Sequence, residues 1–128
     1  MINSLIIDFL IRIKNGYMAT RKTIEVVNSK YCVAVAALMK RYGYIGECKI
    51  NEDKKTMTVS LLYDNDQPRV TNVKIFSKPG RHIYEKASSI PWGQNKNSLI
   101  IISTSSGVMS QKEAVKNKIG GELIAEIY

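Results

Sequence analysis

Residues 99–114 read LIIISTSSGVMSQKEA: four large aliphatic side chains, four consecutive hydroxyls, a glycine, and then the start of a helix. The aliphatic run reads as a buried strand, because a short continuous apolar stretch ended by turn residues has no solvent-facing alternation. Ser110 and Glu113 hold the S-x-x-E spacing of a capping box, in which each side chain satisfies a backbone N–H of the other, so a helix should begin there. Ser103, Thr104, Ser105, Ser106 and Gly107 then form a strand-to-helix loop at the mouth of the core. Gly107 marks backbone at positive φ, or backbone that something must approach closely.

Working outward, Gly120 and Gly121 predict a tight turn and ELIAEIY a last strand. Upstream, VTNVKIF reads as a strand. SKPGRHIYE reads as a turn running into another, with Pro79 and Gly80 at the central positions of a type II turn. DNDQP (64–68) combines charge, amide and proline, so a boundary is placed there, dividing the chain into 1–64 and 65–128.

In the first part, Ile2, Leu5, Ile6, Phe9, Leu10 and Ile13 recur at intervals of three and one, the stripe of an amphipathic helix. Asn3 or Ser4 can cap it, Asn15 and Gly16 supply a left-handed stop, and Arg12 and Lys14 fall in its expected last turn. TIEVV reads as a short strand. NSK (28–30) can cap a second helix carrying Tyr31, Val35, Leu38 and Tyr42 on one face until Gly43 ends it. YIGECKI and KTMTVSLLY form a hairpin through NEDK, and Met57, Val59, Leu61 and Tyr63 mark its covered face. The class is α+β: an N-terminal α-β-α-β-β lobe and a C-terminal, mostly β lobe with one short helix.

A chain of 128 residues buries roughly two-thirds of its unfolded surface and leaves no room for a large enzyme. It has no apolar run near the ~18 residues of a membrane helix, and its apolar N-terminus lacks a basic leader and a cleavage site. Cys32 and Cys48 are sixteen apart without a CxxC, and the single histidine, His82, is distant in sequence. Reduced thiols are expected, with no metal or cofactor. The net charge is +8, and residues 67–118 hold nine basic side chains against two acidic ones while the remainder is nearly neutral. Such a one-sided excess favours a polyanionic partner.

Three accounts compete for Thr104, Ser105 and Ser106. Their hydroxyls can simply bond their own turn. A serine after a hydrophobic strand has the position of a nucleophile elbow, but G-x-S-x-G is missing, His82 is the one available base, and no nearby orienting acid is identified for it. Small hydroxyls and bare N–H groups also suit a nucleic-acid backbone or base edge, with neighbouring lysines supplying attraction. Composition alone leaves the first and third standing, and no G-x-x-x-x-G-K-[ST] phosphate loop occurs.

STSSGVMSQKEA followed by IGGELIAEIY resembles the C-terminal signature of the bacterial-type small ribosomal subunit protein eight family. SLIIDFLIRIKNG, NSKYCVAVAALMKRYGYI and FSKPGRHIY are similar to that family's opening helix, second helix and SKPG turn, in the same order. The resemblance covers nearly the whole chain. It implies a two-lobed α+β, non-catalytic protein that binds the central domain of small-subunit ribosomal RNA and helps organise the platform beside neighbouring ribosomal proteins. It also implies RNA contacts at Thr104, Ser105, Gly107, Gly121, Glu122 and Tyr84, and from the first lobe at Arg12, Lys14, Asn15, Ser29 and Lys30. Lys78 and Arg81 flank a rigid turn and are read as phosphate contacts. The family's lysine is replaced by Ser106, and its glycine-rich approach to the last buried strand by GQNKNS (93–98), beside Trp92. Richness in Ile, Asn and Lys fits an AT-rich genome, so an organellar ribosome is as well matched as a bacterial one. No membrane and no small-molecule substrate are expected. A free-standing RNA-binding regulator, or a small hydrolase using Ser105 and His82, are the alternatives.

Overall fold

The computed structural model describes residues 2–78, 80–91 and 98–128, with side chains from Ser4 onward. The expectations for Pro79, Trp92 and the polar stretch 93–97 lie outside those residues.

Helix α1 (Ile2–Met18) sets Ile6, Phe9, Leu10 and Ile13 fully into the core, as their spacing requires. It begins before the expected caps and runs on through Asn15 and Gly16, so Arg12 and Lys14 are not in its last turn. The reason is packing. A Cβ on Gly16 would come within 2.6 Å of Ile24 Cγ2 and 2.9 Å of Leu61 Cδ1, so this glycine lets strand β1 (Thr23–Val27) lie close against the helix. Thr20, with φ 54°, makes the left-handed exit instead, as Arg21 N donates to Gly16 O at 3.0 Å.

Helix α2 (Lys30–Arg41) starts at Ser29, whose hydroxyl accepts from Cys32 N at 3.2 Å. It ends at Gly43, φ 81°, with Gly43 N bonding Lys40 O at 3.0 Å and Tyr44 N bonding Met39 O at 2.9 Å, the paired bonds of a Schellman motif. Strands β2 (Cys48–Ile50) and β3 (Thr56–Ser60) complete an antiparallel sheet of order β1-β3-β2. Met57 and Val59 face the two helices, as their alternation predicts. Tyr17 ties this unit together: its hydroxyl donates to Tyr44 O at 2.6 Å and accepts from Leu62 N at 3.0 Å, and burial raises its pKa.

At the expected boundary, β4 (Tyr63–Asp64) and β5 (Gln67–Pro68) form a minimal hairpin through Asn65 and Asp66, at φ 50° and 67°. Two left-handed residues in a two-residue loop match the twist of a hairpin.

The second sheet contains β6 (Val73–Ile75), β7 (Tyr84–Glu85), β8 (Leu99–Thr104), β9 (Gly107–Ser110) and β10 (Gly121–Ile127). Its order is β6-β10-β8-β9, with β7 on the N-terminal end of β10. Here the hydroxyl stretch differs from expectation. β8 runs through Thr104, Ser105 and Ser106 turn, and GVMS returns as β9 before helix α3 (Gln111–Lys116) begins. The edge of β8 requires backbone partners, and β9 supplies them.

β8 is buried on both faces, which is why it reads as an unbroken aliphatic run. Leu99 and Ile101 join the core beneath α1 and α2, together with Ile124, Ala125 and Ile127; Ile100 and Ile102 pack with Leu123, Met109, Ala114 and Ile90 under α3. The larger core therefore passes continuously from the first sheet to the second. Tyr42 OH donating to Ser110 Oγ at 2.8 Å, and an Arg41–Glu113 ion pair, join the end of α2 to the start of α3.

Candidate nucleic-acid interface

The residues of the second lobe expected to meet a partner lie together at one end of the second sheet. Glu122 lies opposite Tyr84 on one side and Ser103 on the other, and Ser103 lies opposite Val108. Directly opposed residues of an antiparallel ladder share a face, so Tyr84, Glu122 and Ser103 form a row across β7, β10 and β8. The Thr104–Gly107 turn stands at the end of that row.

Tyr84 is 69% exposed. A strand tyrosine usually contributes to a core; this one stands in solvent with its ring edge and face available. Glu122 is the reverse, 7% exposed, and His82 Nδ1 lies 2.6 Å from its Oε2. His82 and Tyr84 are two apart along one strand direction, with ring centroids 6.4 Å apart. Period-two spacing was the signal that could have linked His82 to the row, had the partner strand been known. The imidazole therefore does have an acidic partner, contrary to the sequence expectation.

The hydroxyls divide by function. Thr104 Oγ1 donates to Gly107 O at 2.8 Å and accepts from Ser106 N at 3.1 Å, so it closes its own turn. Ser105 and Ser106 are exposed at the tip, and Gly107 has φ 114° with open space where a Cβ would point. Gly121 is a packing glycine: a Cβ there would press into the Ser103 carbonyl oxygen and sit 3.0 Å from Thr104 Cγ2. It lets β10 lie tightly against the base of the turn.

Beside the row, Lys78 and Arg81 exchange backbone bonds of 2.9 and 2.8 Å around Gly80 at φ 81°, and both are exposed. The φ is the one a type II turn demands at its second central position. Buried Ser77 anchors the turn by donating to Leu123 O at 2.5 Å and accepting from Ile83 N at 3.1 Å. Sequence reading missed this anchor, because a serine before a turn is unremarkable until its neighbour strand is placed.

The first-lobe residues form a separate group. Arg12 is paired with Asp8 at 3.1 Å, and Arg12 and Asn15 line a groove of about 840 Å³ between α1 and β1. Lys14 is half-buried, Ser29 is committed to its cap, and exposed Lys30 has its ammonium 5.2 Å from the centre of the Tyr31 ring.

Cys32 and Cys48 are free thiols, and burial raises the pKa of each. Among the described residues, no three His, Cys, Asp or Glu side chains converge as metal ligands, and no helix is long and apolar enough to cross a membrane.

Similarity to known proteins accounts for this arrangement. The family model described as Ribosomal protein S8 matches residues 4–128. Among relatives, the small ribosomal subunit protein uS8 of Enterococcus faecalis is 43% identical over 126 residues, covering 96% of each chain. That of Nitratidesulfovibrio vulgaris strain Miyazaki F is 38% identical over the full length of both. The small ribosomal subunit protein uS8c of Tupiella akineta, a plastid form, is 35% identical, again over the full length of both. A family model matched over residues 4–128, with relatives 38–43% identical along at least 96% of the chain, shows that the chain belongs to the ribosomal protein S8 family of structural, non-enzymatic components of the small ribosomal subunit.

Proposed function

We propose that this chain binds small-subunit ribosomal RNA directly, in its central domain, as an early assembly protein of the platform. The second half, residues 65–128, presents the main binding face: the row Tyr84–Glu122–Ser103, the Ser105–Ser106 tip, Gly107, and the Lys78–Arg81 turn. The observation that carries the reading is Tyr84, a large aromatic ring left in solvent beside a hairpin tip of small hydroxyls. Irregular RNA offers splayed bases for an aromatic ring and a shallow minor groove for hydroxyls and main chain. The cationic excess of residues 67–118 supplies the long-range attraction. Arg12, Lys14, Asn15, Ser29 and Lys30 add contacts from the first lobe.

Glu122 fits this role because it is held rather than loose. A carboxylate bonded to His82 has a fixed orientation from which to accept a base amino or ribose hydroxyl at the middle of the row.

Two measurements test the proposal. Tyr84→Ala should weaken binding to a small-subunit RNA transcript by about 1–3 kcal/mol, the range for one stacked base, with little change in unfolding midpoint. An unchanged affinity would overturn the role of this face. Sedimentation with small subunits through high salt separates an integral ribosomal role from that of a free-standing regulator, which would be released.

A further inference from the structure

We propose that a second groove, walled by Lys86 and Lys118, binds the phosphate backbone of the same RNA and extends the interface beyond the hairpin row; this rests on the RNA-binding reading above. The groove, about 460 Å³, lies between the 3-10 turn Ala87–Ser89 and α3, lined by Lys86, Ala87, Ser88, Val115 and Lys118. Among the described residues, two cations line it and no carboxylate does. It adjoins the row, because Glu85 is paired with Gly121, and Gly120 packs against the backbone of Glu85 and Lys86: a Cβ on Gly120 would meet Glu85 O at 2.6 Å and Lys86 Cα at 2.9 Å. The close approach of these two segments fixes Lys86 one residue beyond the end of β7.

Lys118 is fixed as firmly. Helix α3 ends as α2 does: Lys118 N bonds Val115 O at 3.1 Å and Ile119 N bonds Ala114 O at 2.9 Å, while Ile119 packs on the smaller core. The position after the cap is left-handed in both helices, and where α2 has Gly43, α3 has Lys118 at φ 56°. A left-handed lysine is not by itself a sign of function, since Thr20 and Lys54 adopt similar φ values. What distinguishes Lys118 is that its backbone geometry is locked at a groove that Lys86 also lines. Backbone phosphate is the ligand that matches: it needs charge and a shallow channel, and the Ser88 hydroxyl on the wall can donate to a phosphate oxygen beside the two lysines.

The test uses the full-length protein and a small-subunit RNA transcript, with affinity measured across a series of KCl concentrations. Lys118→Gly keeps the helix end, which favours glycine, and removes the charge. It should lower the salt slope by about one phosphate contact, and adding Lys86→Gln should lower it by about one more. Lys54→Gly is the matched control, removing the same charge from a left-handed position in the β2–β3 turn, and should leave the slope unchanged. If Lys118→Gly behaves like Lys54→Gly while Tyr84→Ala still weakens binding, the groove is not a phosphate site and the hairpin face stands. If neither Lys118→Gly nor Tyr84→Ala changes binding, both readings fall.

Discussion

At the scale of single residues, the candidate face separates side chains that hold the backbone from those left for a partner. Thr104 closes the turn and Gly121 admits the neighbouring strand, while Ser105 is exposed at the tip and Gly107 exposes main chain. Ser105→Ala should therefore cost about 1–3 kcal/mol of RNA affinity with no loss of thermal stability. Gly107→Val should reduce both, since φ 114° is strained for a β-branched residue. Parallel binding and melting curves check this: a serine variant that melts early would place Ser105 with the structural group. Gly121→Ala should act on the fold, costing about 1–3 kcal/mol in urea unfolding, because the Ser103 carbonyl cannot yield as a flexible side chain would.

At the scale of elements, the start of α3 shows how a strand edge is finished. β9 ends at Ser110, opposite Ile101, and the Gln111 side chain takes over: its Oε1 accepts from Ile100 N at 2.9 Å and its Nε2 donates to Ser98 O at 2.7 Å. The amide stands in for one more residue of strand. Gln111→Ala should remove a side-chain partner from each of two backbone groups, Ile100 N and Ser98 O, at about 1–3 kcal/mol each. Ser110→Ala should cost about 1 kcal/mol for the helix cap and about 1 kcal/mol more for the bond lost from the Tyr42 hydroxyl. Denaturant unfolding of the two variants should rank Gln111→Ala as the more damaging; the reverse order would contradict the strand-extension role.

The same elements show what was legible in the sequence. The capping box at Ser110 and Glu113, the alternation of β3 and the aliphatic run of β8 are local patterns, and each leads to the observed element. The hydroxyl hairpin was read as a loop because β9 is four residues long and its pairing with β8 depends on contacts that no local pattern encodes. Gly16 was read as a stop because a helix-ending glycine and a close-packing glycine look alike until strand β1 is placed beside it. The His82–Glu122 contact spans forty residues, and the period-two spacing of His82 and Tyr84 points to it only once strand β10 is placed beside them.

At the scale of the molecule, the two sheets share a core through Leu99, Ile101, Ile124 and Ile127, so the binding face stands on a continuous hydrophobic support. That support leaves a partner little ordering to do, since the row Tyr84–Glu122–Ser103 is fixed by strand register before any contact forms. Loss of affinity in the side-chain variants Tyr84→Ala and Ser105→Ala should accordingly appear without loss of structure. The most direct test of the central claim is residue-by-residue amide NMR of the protein titrated with a central-domain RNA transcript. Signals of Tyr84, Ser105, Ser106, Gly107 and Glu122 should shift or broaden first, while those of the β2–β3 turn at Asp53 and Lys54 remain in place. A titration that moves the β2–β3 turn and leaves the hairpin tip and Tyr84 silent would contradict the account.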